Sequence, residues 1–124
     1  MGKIKGKRAG LQVLNSVEGL KQTTTHKLYD TNIVTIENHV TEYTNVILNS
    51  GGWQTKHTKN CMNDVLDQFN LKVIQKDFSW FLVDNHNTIA WDFEDDMNLG
   101  IGFDSNGDMT IVRWGLTYNM KRKA

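Results

Sequence analysis

Leu48-Asn49-Ser50-Gly51-Gly52-Trp53-Gln54-Thr55-Lys56-His57-Thr58-Lys59-Asn60-Cys61-Met62-Asn63 joins an apolar strand end to a helix start through a double-glycine turn. Downstream, Met62, Val65, Leu66 and Phe69 recur at i, i+3, i+4 and i+7, a single apolar stripe that predicts a helix over 58–69. Thr58 is the expected N-cap and Asn70 the expected end. So short a helix needs a sheet to lie on. The junction itself has two readings. A helix start favours anions, Gly51 and Gly52 permit close backbone approach, and Thr55, Thr58, Lys56 and Lys59 would add hydroxyls and charge, which makes an anion or phosphate cradle. The plainer reading is a tight turn with Trp53 in the core.

Outward from this junction the chain alternates. His26–Glu37 and Val40–Leu48 read as two strands broken at Asn38-His39, a hairpin. Leu71–Gln75, Ser79–Val83 and Thr88–Phe93 read as further strands, with a turn at 84–87. Asn106-Gly107 marks a hairpin between Leu99–Phe103 and Met109–Trp114. Asn15–Gln22 reads as a short helical turn weakened by Gly19. The sum is an α+β domain, a mostly antiparallel sheet with one main helix packed on it. Its expected limits are a basic flexible arm at 1–14, one domain at 15–118 and a basic tail at 119–124.

A chain of 124 residues with 39% hydrophobic content has room for one modest core. The formal net charge of +0 argues against nucleic acid as the main partner, and no stretch has the apolar length of a membrane span. The start lacks the apolar region of a secretory signal and Cys61 is the only cysteine, so cytoplasm is the expected compartment. Charge is nonetheless segregated. Both ends are basic, whereas 77–112 holds eight acidic residues and no Lys or Arg. Arg113 is therefore the only arginine outside the termini.

The usual reactive constellations are missing from the sequence. Asp104, Asn106 and Asp108 open like a calcium loop, but Met109 and Gly115 stand where that loop needs glycine and glutamate, which leaves a turn. The four histidines show no metal spacing. Cys61 and His57 lie one helical turn apart without a third, orienting group. Glu94, Asp95 and Asp96 are consecutive and diverge, so they read as a solvated turn, a subunit contact, or one acceptor for a ligand hydroxyl. Catalytic residues, metal and cofactor are all expected to be none, and the reading turns from enzyme to binder. Trp80 and Phe81 must point to opposite faces of their strand, one into the core and the other toward solvent, a subunit or a ligand. A planar ring beside a cation such as Arg113 is how proteins hold a nucleobase and its phosphates.

The segments Asp30–Ile36, Leu48–Asn63 and Val73–Asp84, with Phe93–Met97 beyond them, resemble a family of short bacteriophage proteins with a shared L-N-S/T-G-G-W-x-T-x-x-T-K-x-x-M-N signature, over roughly residues 30 to 100. The pattern is similar to the phage anti-Thoeris sponges, which bind the cyclic ADP-ribose isomer that activates a bacterial defence and do not hydrolyse it. That resemblance implies a homo-oligomer, a hexameric ring among the options, with the signal held between subunits. Some members are implicated in holding cyclic oligonucleotides. It further implies Phe81 as the base-stacking ring, Arg113 as a phosphate contact and Asp92 as a polar contact to ribose or base. Trp53, Thr55, Thr58 and Lys59 are added from the junction itself. Gln54 departs from the basic residue expected between Trp53 and Thr55, which weakens any phosphate contact there. The competing readings are a protein–protein inhibitor of a host defence effector and a small nucleic-acid binder using the basic ends.

Overall fold

The computed structural model describes residues 8–39, 43–85 and 89–114. Nine strands and one α-helix follow in the order β1 (Leu11–Glu18), β2 (Lys21–Leu28), β3 (Thr31–His39), β4 (Thr44–Leu48), α1 (Lys56–Leu66), β5 (Leu71–Lys76), β6 (Ser79–Asp84), β7 (Ala90–Asp92), β8 (Met97–Phe103) and β9 (Met109–Trp114), with a 3-10 turn at Asp67–Phe69 after α1. The strands form a six-stranded antiparallel sheet, β1-β2-β3-β4-β8-β9, and a three-stranded antiparallel sheet, β5-β6-β7. The class is α+β, with α1 packed on β3 and β5 between the two sheets' buried faces.

The core follows the alternation of the strands. Val34, Val46, Leu48, Leu99 and Ile101 bury one face of the large sheet, and Leu71, Val73, Trp80 and Leu82 bury the facing side of the small one. Cys61, Met62, Val65 and Leu66 of α1 fill the space between. A register shift at His26/Lys27 places Ile33 opposite no residue of β2, and consecutive Ile33 and Val34 are both buried as a result. Asn63 ties α1 to β5. Its Nδ2 donates to the Val73 carbonyl at 3.0 Å while its Oδ1 accepts from the Val73 N–H at 2.7 Å.

Several expectations need correcting. Asn15–Gln22 is no helical turn; it straddles the β1–β2 hairpin, and residues 11–14 belong to β1. The cause is tertiary, since the Thr23–Thr25 run of β2 pairs with β1 on one side and β3 on the other. The span His26–Glu37 is two strands, parted by a turn at Tyr29-Asp30 in which Tyr29 takes a left-handed φ of 53°. The helix starts earlier than expected. Thr55, extended at φ −102°, is the N-cap, and its Oγ1 accepts from the Thr58 N–H at 3.2 Å, so Thr58 sits inside the first turn. Asn70 does end the helical segment in the left-handed region. Trp53 is not in the core: it is 69% exposed. Strand β7 is shorter than the expected 88–93, part of which lies outside the described residues, as do residues 1–7 of the expected arm and the whole tail at 119–124.

Candidate ligand-binding site

Strand β6 alternates so that Trp80 and Leu82 enter the core and Phe81 turns to the opposite face, half-buried. In the β6–β7 register Phe81 stands directly across from Asp92, so ring and carboxylate share one face. Directly opposite residues are the closest side-chain neighbours that a sheet offers.

Arg113 stands on the other sheet. In β9 it pairs with Leu99 on the buried face, and only 1% of it is exposed. Its Nη2 lies 3.5 Å from Oε1 of Glu94, an ion pair without hydrogen-bond geometry, and neither Nε nor Nη2 has a hydrogen-bond partner among the described residues. Burial draws the Arg113 guanidinium below its ordinary value, while the charges of Glu94 and Asp92 oppose that shift. A buried guanidinium with two of its nitrogens unbonded is costly. Its charge-assisted donors match a phosphate or carboxylate. Phe81 is thus tied by register to Asp92, and Asp92 by charge to Arg113.

The double-glycine junction forms a second place. The chain from Asn49 to Gly52 is pinned by the acidic cluster. Ser50 donates to Asp95 Oδ1 through both N–H and Oγ at 2.8 Å, and Asn49 Nδ2 donates to Asp96 Oδ1 at 2.6 Å. Gly51 and Gly52 take φ of 66° and 84°, which a side chain would strain. The three consecutive carboxylates therefore have three separate structural tasks, Glu94 on Arg113 and the other two on this turn. A cleft of about 400 Å³ opens beside the turn, with Tyr29, Asp30, Trp53, Thr55, His57 and Thr58 among its lining residues. Lys59 does not line it, and neither do Phe81, Asp92 or Arg113. Of the residues singled out from the sequence, Trp53, Thr55 and Thr58 share the cleft, Phe81 and Asp92 stand across from each other on β6 and β7, and Arg113, on the other sheet, is linked to Asp92 by charge alone.

His57 and Cys61 meet at 3.9 Å, but the imidazole Nε2 also lies 2.9 Å from the Ala9 carbonyl, which fixes it as a donor. Burial pushes the Cys61 thiol up, with Arg8 opposing and Asp64 assisting. An inert, packed thiol results. Asp104 Oδ1 accepts from the N–H groups of Asn106 and Asp108, both at 2.9 Å, so this carboxylate closes the β8–β9 turn. Sequence reasoning missed Glu94 as the partner of Arg113, and Tyr29 and Asp30 as walls of the cleft. In the sequence Glu94 is only one of three adjacent acids, and Tyr29 falls inside a run of strand formers.

No helix among the described residues is long and apolar enough to cross a membrane. No curated protein and no solved structure matches the chain. A family model does, over residues 7–100, well over half of the sequence and including the junction, Phe81 and Asp92 but not Arg113. The chain belongs to the Kyanoviridae Gp96 protein family, a family of bacteriophage proteins.

Proposed function

We propose that this phage protein is an anti-defence sponge that sequesters a cyclic ADP-ribose-type or cyclic oligonucleotide signal in the host cytoplasm without hydrolysing it. The observation that carries the reading is Arg113, a buried arginine whose Nε and Nη2 lack hydrogen bonds among the described residues. A phosphate would supply the missing acceptors. Phe81 offers a ring face for a base, and Asp92, across the strand pair, an acceptor for a ribose or base donor. Sequestration asks for tight binding alone, and stacking plus charge-assisted hydrogen bonds supply it.

Self-association into a homo-oligomeric ring is part of the proposal. Strand β1 is an outer strand of the large sheet, and Val13, Leu14 and Val17 on it are each at least half exposed. Its sequence, LQVLNSVE, has no proline or lysine to discourage edge pairing. The same edge favours a second reading, an inhibitor that docks on a host defence protein.

Native mass spectrometry after incubation with cyclic ADP-ribose isomers and cyclic di- and trinucleotides tests both readings. The sponge predicts an oligomer carrying ligand of unchanged mass, with capture lost in Phe81→Ala and in Arg113→Ala. A protein that stays unliganded across the panel and instead retains a host protein in pull-downs would replace the first reading with the second.

A further inference from the structure

Tyr29 and Trp53 line one cleft of about 400 Å³, and they are 64% and 69% exposed. Among the described residues neither ring makes an aromatic contact, with the other or with any third ring. Exposed aromatics on free loops would mean little, but both of these are held by their backbones. The Tyr29 N–H donates to the Gly10 carbonyl at 2.8 Å, and the ring lies over Gly10 in space that a Cβ would occupy. The Trp53 N–H donates to the Ser50 carbonyl at 3.0 Å, in the turn that Asp95 secures.

The chemistry of the remaining lining selects a ligand class. Leu28 and Ile33 supply buried apolar surface, and Thr31 and Asp30 supply a hydroxyl and a carboxylate. Among the described residues no Lys or Arg lines the cleft. Two N–H groups of the helix start are already engaged, Thr58 N–H with Thr55 Oγ1 and Lys59 N–H with the Thr55 carbonyl. Among the described residues an anion would thus meet a carboxylate and no Lys or Arg. A flat, uncharged heterocycle would meet two aromatic side chains, apolar surface and a strong acceptor for a ring N–H or amino group. The volume lies in the range of small-molecule sites and exceeds what a simple ammonium ion fills.

We infer that this cleft is a nucleobase-binding site, separate from the Arg113 cluster and independent of the function proposed above. It recognises the base and not the phosphate.

The test is a titration of the full chain with adenosine, guanosine, cytidine and uridine, read by tryptophan fluorescence and calorimetry, followed by AMP for comparison. At least one nucleoside is expected to bind saturably. Trp53→Ala should weaken it by about tenfold or more, and Asp30→Asn should weaken it too, whereas Phe81→Ala should leave it unchanged. Trp53 and Asp30 are exposed, so both variants are expected to fold, and circular dichroism checks this. AMP should bind no tighter than adenosine. Absence of saturable binding by all four nucleosides would overturn the inference. So would binding that is lost in Phe81→Ala but kept in Trp53→Ala, or AMP binding far tighter than adenosine. Cyclic nucleotide capture by the Arg113 cluster is read separately, by its loss in Arg113→Ala, so either site can fail without the other.

Discussion

Arg113 and Glu94 form an unequal pair: the guanidinium is 1% exposed, the carboxylate is 57% exposed, and 3.5 Å separates Nη2 from Oε1. The arginine bears the desolvation while its partner stays in water. Such an arrangement weakens the empty protein, because a buried charge without full hydrogen bonding costs more than an apolar group of similar volume. Arg113→Met should therefore stabilise the unliganded protein, by about 1–4 kcal/mol where the site repacks well. Urea denaturation checks this. The same variant should lose capture of the cyclic nucleotide. A residue retained for stability alone would give the opposite sign.

Glu94 also bears on the proposed ligand. On the proposed reading a phosphate on Arg113 would meet the charge of Glu94, 3.5 Å from Nη2, and compete with it. Glu94→Gln should raise the association rate of a cyclic nucleotide several-fold at low salt, and the gain should shrink as salt is added. Stopped-flow fluorescence over a salt series measures it. A slower association in Glu94→Gln would show that the carboxylate helps to organise the site.

Asn63 completes β5 from outside the sheet. Its amide makes both a donor and an acceptor contact with Val73, as a neighbouring strand would. Asn63→Ala removes both and leaves a half-buried N–H and carbonyl to find water. The expected loss is about 1–3 kcal/mol in urea unfolding, with faster amide exchange at Val73. Asn63→Asp should recover only part, since a carboxylate accepts from the N–H but does not donate to the carbonyl.

The legible part of the fold was the part written in side-chain periodicity. The 62–65–66–69 stripe and the Asn106-Gly107 turn located α1 and the β8–β9 hairpin. Strands β1 and β2 were hidden because most of their residues are polar or exposed, which leaves no apolar alternation to read. The Tyr29-Asp30 turn was hidden because Tyr is not a turn former; its left-handed backbone is set by the strands on either side and by Gly10. Trp53 looked like core by residue type, and only the turn geometry places it outside. At the site, Arg113 stood out as the one interior arginine, but its link to Asp92 and Glu94 depends on which strands lie side by side. Nothing in the sequence encodes that directly.

The β5–β6 hairpin turns through Asp77 and Phe78, both at positive φ, 53° and 68°. Two left-handed central residues are the geometry that Asn-Gly normally supplies. A bulky aromatic there is strained, and Phe78 is 93% exposed, so no packing offsets the strain. Phe78→Gly should stabilise the hairpin by about 1 kcal/mol. Thermal unfolding should show a rise in Tm of a few degrees. A fall would mean that the Phe78 ring is covered in the assembled protein, and the oligomeric state of the variant would then show where.

His26 makes stability depend on pH. It lies in a groove between β1–β2 and α1, together with Leu11, Val13, Asp64 and Asp67. The two carboxylates would favour the imidazolium, but burial dominates and draws His26 below its ordinary value of 6.5. The unfolded chain therefore binds this proton more readily than the folded one. Stability from this residue is fully present above pH 6.5 and is lost as pH falls through 6.5 toward the lower folded value. Urea midpoints measured between pH 8 and pH 5 should decline over the acid half of that range. His26→Gln, which keeps a polar side chain but cannot titrate, should flatten the decline without removing the acid loss due to carboxylates at lower pH. An unchanged slope in His26→Gln would move the pH dependence to another group.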